Sequence, residues 1–158
     1  MKTEIIKIDP KNPEKELIAR AASYIKRGEL LAFPTETVYG LGGDAKDTGA
    51  SKAIYAAKGR PSDNPLIVHI ADVDDLYKVG ADVPREAALL AEVFWPGPMT
   101  LIVKKSPDIP YETTGGLDTV AVRLPSHAVA GELIRRSGRF IAAPSANTSG
   151  RPSPTRAS

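Results

Sequence analysis

The chain has 158 residues and contains no cysteine, which excludes disulfide bonds, a thiolate zinc site and a cysteine nucleophile. Its two histidines, His69 and His127, are too few for a metal centre built from imidazoles. No apolar run approaches the roughly 18 residues that span a membrane. The first residues are polar and lack the apolar core of a secretory signal. We therefore expect a cytoplasmic protein without a membrane segment.

The overall composition is typical of one folded domain. Hydrophobic residues make up 42% of the chain and the formal net charge is only +2, so disorder is excluded. Positive charge is concentrated after residue 119, where there are six arginines, no lysine and one acidic residue, Glu132. Guanidinium groups bind planar oxyanions in a bidentate fork, so this segment suits phosphate or carboxylate recognition. A solvated surface is the alternative.

Helical and strand patterns alternate along the chain, without repeats or heptads. We expect Asn12 to cap the first helix with Pro13 in its first turn, and Ser126 to cap the last helix. Helices are predicted at 13–27, 50–57, 73–79, 87–94 and 127–137, and strands at 30–33, 66–70, 99–103, 120–124 and 140–143. This alternation predicts a layered α/β domain with helices packed on a sheet.

Two predicted strands each contain an unexpected polar residue near their C-terminal end. These are His69 and Arg123, each flanked by apolar residues. A buried arginine needs an oxyanion partner, which is either a structural carboxylate or a ligand. A buried histidine is either satisfied within the core or part of a site. Open α/β sheets bind ligands at the C-terminal ends of their strands, which favours a site containing both residues.

Two loops offer further polar groups. Lys58 and Arg60 follow a predicted helix, where they either cap its C-terminus or clamp a phosphate. Ser145 and Asn147 follow Pro144, and they either form a turn or face a ligand. The chain contains no phosphate-loop motif, and no catalytic triad or carboxylate pair stands out. The residues alone predict an anion-binding α/β domain and nothing more specific.

Six short segments, in the same order, resemble the YrdC family of threonylcarbamoyl-AMP synthases. They are FPTETVYGLG at 33–42, KGRP at 58–61, NPL at 64–66, WPGPMT at 95–100, RLP at 123–125 and APSAN at 143–147. The resemblance implies a three-layer α/β fold around a twisted, mixed, mostly seven-stranded sheet with a concave basic cavity. It also implies a nucleotidyltransferase that makes threonylcarbamoyl-AMP and pyrophosphate from L-threonine, bicarbonate or CO₂, and ATP. Other proteins would then transfer the threonylcarbamoyl group to tRNA.

The resemblance also assigns roles to individual residues. It implies that threonine is held by Thr35, Thr37, His69, Arg123 and the backbone of Ala143. It implies that ATP is held by Arg60, Asn64, Thr119, Ser145 and Ser153. It implies that the chemistry depends on Lys58, Arg60, Ser145 and Asn147. No metal site on the protein is expected, because Mg²⁺ would arrive bound to the triphosphate.

Family members continue beyond the point where this chain ends, and many carry a second domain. We therefore expect residues 1–158 to be the catalytic domain of the longer two-domain type, truncated at its C-terminus. Two other functions stay open. One is a module that binds double-stranded RNA or tRNA through the arginine-rich segment. The other is a carbamoyl-transferring relative of hydrogenase maturation proteins.

Overall fold

A computed structural model describes residues 3–157 of the chain, and it shows a mixed α/β fold with one six-stranded sheet. The strands are β1 (Leu31–Phe33), β2 (Gly40–Asp44), β3 (Ile67–His69), β4 (Leu101–Lys104), β5 (Thr119–Arg123) and β6 (Ile141–Ala143). The helices are α1 (Lys15–Lys26), α2 (Thr48–Lys58), α3 (Leu76–Val79, preceded by a 3₁₀ turn at Val73–Asp75), α4 (Arg85–Phe94) and α5 (Ala128–Ser137). The strand order is β1-β2-β6-β3-β5-β4. This confirms the predicted α/β class, with one strand fewer than the resemblance implies.

The sheet is mostly antiparallel, and its one parallel pair positions the polar strand residues. β3 and β5 run parallel, in a register that places His69 beside Arg123. β6 pairs antiparallel with β3 on the other side, so that Ile141 also lies beside His69. Two residues that are far apart in the sequence therefore lie side by side at the same edge of the sheet.

The two faces of the sheet are covered unequally. Helices α2, α3 and α4 pack against one face, where Val68, Val122 and Ala142 are buried in a continuous core. Helices α1 and α5 cover only the β1, β2 and β6 part of the other face. On the rest of that face Ile102 is 71% exposed, and Thr119 is exposed as well. The uncovered part carries the His69 and Arg123 side chains and leaves room for a ligand.

One strand, β2, was missed by the sequence analysis because its sequence is GLGGD. Glycine weakens a strand, and it marks places where other atoms approach closely. At Gly42, a Cβ atom would lie 2.5 Å from Ile141 Cγ2 and 2.8 Å from Phe33 Cε1. The lack of a side chain at Gly42 therefore lets the side chains of Phe33 and Ile141 pack directly against this strand.

Two predicted helix caps are wrong. The first helix begins at Lys15 with Glu14 as N-cap, not at Asn12. The Asp9 side chain accepts a hydrogen bond from Lys11 N, and Glu14 accepts one from Asp9 N, so a turn holds this segment outside the helix. The last helix is capped by His127, and Ser126 lies before it.

His127 is the cap because its ring nitrogen is in the right position. His127 Nδ1 accepts a hydrogen bond from Val129 N at 3.2 Å. Ser126 lies one residue before the cap, and its backbone N–H donates to a carboxylate oxygen of Glu36 at 3.2 Å. The start of α5 is thus tied to the loop between β1 and β2. Within residues 3–157, no helix is both long and apolar enough to cross a membrane.

Candidate functional site

A cavity of about 200 Å³ opens at the β3, β5 and β6 edge of the sheet. All five residues predicted to hold threonine line it, together with Ser145, which was predicted for ATP. They are Thr35, Thr37, His69, Arg123 and Ala143. The loop between β1 and β2 forms one wall, and the ends of the three strands form the opposite one. The structure therefore brings together residues from four separate parts of the sequence.

The Arg123 side chain is 10% exposed and is held by a carboxylate. Its Nη2 donates to Glu36 Oε1 at 2.5 Å and to Thr37 Oγ1 at 3.2 Å. The buried Arg123 Nε has no hydrogen-bond partner among the described residues. The predicted oxyanion partner therefore exists inside the protein, and the guanidinium keeps one buried donor that is unsatisfied by the described residues.

Glu36 is the site residue that the sequence analysis did not name. Burial is the largest single influence and would raise the pKa of its carboxyl group. The hydrogen bond and charge of Arg123, together with the backbone N–H groups of Glu36 and Ser126, outweigh burial, and the net effect lowers the pKa. Glu36 is therefore ionised at neutral pH. A signal for it was present, since Glu36 lies between Thr35 and Thr37 in a segment already singled out.

The His69 imidazole is buried and faces both the cavity and the backbone. Its Nδ1 lies 3.1 Å from Ile67 O and 3.3 Å from Ile141 O, and both carbonyl oxygens accept. This assigns the proton to Nδ1 and leaves the Nε2 lone pair as an acceptor. Burial, followed by the nearby charge of Arg123, lowers the pKa of His69 to about 4. His69 is therefore neutral at pH 7.

The lowered pKa of His69 predicts a pH dependence of folding stability. The unfolded chain binds a proton at His69 below about pH 6.5, whereas the folded chain does so only below about pH 4. The free energy of unfolding should therefore fall as the pH drops through this window, by about 3 kcal/mol from this residue. Denaturant titrations at pH 7 and pH 4.5 should show a smaller loss for His69→Gln than for the unaltered chain. Equal losses would contradict the prediction.

Lys58 and Arg60 lie at the C-terminal end of α2 and are held by backbone carbonyls. The buried Lys58 Nζ donates to the carbonyl oxygens of Ser145 and Asn147. Arg60 donates from Nε to Asn64 O at 3.3 Å and from Nη2 to Pro65 O at 3.2 Å. Gly59 between them adopts a left-handed conformation with φ of 57°, which ends the helix.

Neither of these two cations has a carboxylate partner in the part of the chain that the structure describes. Within residues 3–157, no carboxylate lies within 4.0 Å of the charged nitrogens of Lys58 or Arg60. Burial, and then the charge of Arg60, lowers the pKa of Lys58. An anion bound here would relieve both effects. The arrangement therefore favours an anion site, in agreement with the phosphate clamp considered from the sequence.

The segment after β6 is folded onto these cations. Ser145 Oγ and Ser153 Oγ both donate to Asn147 Oδ1, the second at 3.3 Å. The backbone closes the arrangement, since Ser149 N donates to Lys58 O at 3.1 Å and Tyr39 N donates to Pro154 O at 2.9 Å. Three of the predicted site residues are thus joined in one hydrogen-bonded group beside Lys58.

Two predicted ATP residues are less closely associated with this group. Thr119 is exposed at the start of β5, four residues and roughly 13 Å along the strand from Arg123. It lies on the uncovered face of the sheet, like Arg123, but does not line the cavity. The exposed Asn64 is linked to this region through its backbone, since its carbonyl oxygen accepts a hydrogen bond from Arg60.

The arginine-rich segment is partly neutralised. Arg123 pairs with Glu36, Arg135 with Asp72 and Glu132, and Arg139 with Asp44. Three of the six arginines are therefore compensated by nearby carboxylates. Among the described residues, no group of three or more His, Asp or Glu side chains could hold a metal ion.

The fold and the site together define an α/β domain with a polar cavity beside two cations, Lys58 and Arg60, that have no carboxylate partner among residues 3–157. A family model described as "Telomere recombination" matches residues 23–158, and the chain belongs to this Sua5/YciO/YrdC family. The chain is 58% identical over 144 residues to the threonylcarbamoyl-AMP synthase of Pyrococcus abyssi, and 57% identical over 141 residues to that of Bacillus subtilis. The alignments cover 91% and 89% of this chain, respectively.

A solved structure supports the same relationship. The crystal structure of P. abyssi Sua5 complexed with L-threonine superimposes with a TM-score of 0.91 at 57% identity, and the match covers 92% of this chain and 43% of that one. The chain spans 42% of the P. abyssi synthase and 41% of the B. subtilis synthase. The predicted family is therefore confirmed. The chain corresponds to less than half of the length of these two relatives.

Proposed function

We propose that this chain carries the threonine and ATP sites of a threonylcarbamoyl-AMP synthase. The main support for the proposal is that two neighbouring sites, the cavity at Arg123 and the pair of cations Lys58 and Arg60, differ in net charge. In the cavity at Arg123 the positive charge is balanced by Glu36, whereas Lys58 and Arg60 have no carboxylate partner among the described residues. One site suits an amino acid and the other suits a polyphosphate.

Threonine fits the cavity by its functional groups. Its carboxylate would pair with the guanidinium of Arg123, whose orientation is fixed by the contacts of Nη2 with Glu36 and Thr37. The neutral His69 supplies an Nε2 acceptor for a hydroxyl or an amine. The hydroxyl of Thr35 already contacts that of Thr37 at 3.0 Å, and both line the cavity. The complex of the P. abyssi relative with L-threonine supports this assignment.

ATP would lie with its phosphates at Lys58 and Arg60, within reach of Ser145, Asn147 and Ser153. Fixed positive charges aimed at a transferring phosphoryl group are the main contribution of a protein to such reactions. Asn64 and Thr119 belong to this part of the proposal, with Thr119 on the open face of the sheet. Mg²⁺ would be held by the phosphate oxygens and would add to charge neutralisation there.

The reaction needs no covalent nucleophile from the protein. The uncharged amine of threonine adds to the carbon of CO₂ and loses a proton, which gives a carbamate. A carbamate oxygen then attacks the α-phosphorus of ATP, and the bond from this phosphorus to the bridging oxygen breaks as pyrophosphate leaves. Positioning and charge neutralisation carry such a step. The product would pass to the proteins that transfer the threonylcarbamoyl group to tRNA.

The proposal is tested by incubating the chain with L-threonine, bicarbonate and ATP. We expect saturable threonine binding, and pyrophosphate release that requires both threonine and bicarbonate. Absence of both threonine binding and pyrophosphate release would overturn the proposal. Binding of duplex RNA that falls steeply with salt, without threonine binding, would favour the RNA-binding alternative instead.

A further inference from the structure

Glu36 is the carboxylate that holds the cavity-lining Arg123. It is not among the residues that line the cavity, and its side chain is 20% exposed. Both of its carboxylate oxygens are used, one by Arg123 Nη2 at 2.5 Å and the other by Ser126 N at 3.2 Å. Glu36 is therefore fixed in place, and it acts on a ligand through its charge and through Arg123.

The charges around the cavity sum to zero because of Glu36. Arg123 is the one permanently charged residue that lines the cavity, and His69 beside it is neutral. The negative charge of Glu36 cancels the positive charge of Arg123. A bound molecule with one positive and one negative group can interact favourably with both charges. A simple anion is attracted by Arg123 but is also repelled by Glu36, so its net attraction is reduced.

The neighbouring anion site has the opposite character. Lys58 and Arg60 are held by backbone carbonyls, which leave their full positive charge in place. Ser145 lines the cavity and also holds Lys58 with its carbonyl oxygen, so the two sites adjoin. An enzyme with two negatively charged substrate groups must keep each one out of the other's site.

We propose that Glu36 is a specificity-determining residue, which makes the cavity prefer a zwitterionic amino acid to a simple anion with the same carboxylate. This rests on the proposed function, since it assumes that the cavity takes threonine. Through the same charge, Glu36 directs phosphate groups to Lys58 and Arg60. A single fixed carboxylate thus separates the binding places of the two substrates.

The test compares two ligands that differ in one charge. L-threonine and 3-hydroxybutanoate share the carboxylate and the hydroxyl, but 3-hydroxybutanoate lacks the amine. The dissociation constants of both are measured by calorimetry for the unaltered chain, Glu36→Gln and Glu36→Asp. The matched control is Glu86→Gln, which removes an exposed carboxylate in the first turn of α4. Thermal unfolding verifies that each variant is folded.

We expect the preference for L-threonine over 3-hydroxybutanoate to fall about tenfold in Glu36→Gln, as the removal of one nearby charge predicts. Glu36→Asp keeps the charge and should keep the preference, even if both affinities change, and Glu86→Gln should match the unaltered chain. An unchanged preference in Glu36→Gln, or an equal loss in Glu36→Asp, would overturn the inference alone. If the unaltered chain did not bind threonine, the proposed function would fail first and the inference with it.

Discussion

Lys58→Met is expected to lower the rate of pyrophosphate release by roughly 100- to 1000-fold, the effect of removing one fixed donor from a developing charge. Lys58 is buried, its ammonium group is held by backbone carbonyls, and no salt bridge to a carboxylate is found for it in residues 3–157. Methionine keeps the apolar stem and removes the ammonium group. A stopped assay of pyrophosphate with threonine, bicarbonate and ATP measures the change.

The control for this variant is Lys52→Met on the same helix. Lys52 is 70% exposed and lies 3.9 Å from Glu112, a separation at which surface pairs contribute little. Its replacement should leave the rate within about twofold, because a solvent-exposed pair is strongly screened. Retention of the full rate in folded Lys58→Met would show that Lys58 has only a structural role.

Arg123→Ala is expected to weaken threonine binding about 100-fold while ATP binding changes little. The substitution removes a charge-assisted hydrogen bond, and such bonds contribute about 1.5–3 kcal/mol. It also leaves the half-buried Glu36 carboxylate without its partner, which repels the carboxylate of threonine. Calorimetric titration with each ligand separates the two effects.

The matched control is Arg135→Ala. Arg135 also pairs with carboxylates, Asp72 and Glu132, but it is 49% exposed and does not line the cavity. It should leave both affinities unchanged. If Arg123→Ala weakened threonine and ATP binding to the same extent, Arg123 would be a structural residue of the sheet edge and the threonine assignment would be wrong.

Much of the fold could be predicted because the periodicity of apolar residues is local. The apolar stripe of α5 and the apolar runs of β3 and β5 are enough to identify those elements. β2 could not be predicted, because its glycines serve contacts with Phe33 and Ile141 that come from other strands. The caps at Glu14 and His127 depended on hydrogen bonds that no propensity describes.

For the site, the sequence predicted which residues take part but not which residues contact each other. Burial of Arg123 could be inferred from its strand, and its need for an oxyanion followed from physical chemistry. The identity of that oxyanion could not be inferred, since Glu36 lies 87 residues away in the sequence. The register of β3 and β5, which places His69 beside Arg123, is likewise a property of the assembled sheet.

The way in which Lys58 is anchored has a consequence for how such a site can vary. The ammonium group is held by the main-chain carbonyl oxygens of Ser145 and Asn147, not by their side chains. Every amino acid supplies that carbonyl, so substitutions at 145 and 147 can alter ligand contacts without releasing the lysine. The position of Lys58 depends on the path of the backbone after β6. The side chains at positions 145 and 147 can therefore change while the Lys58 ammonium group stays in place.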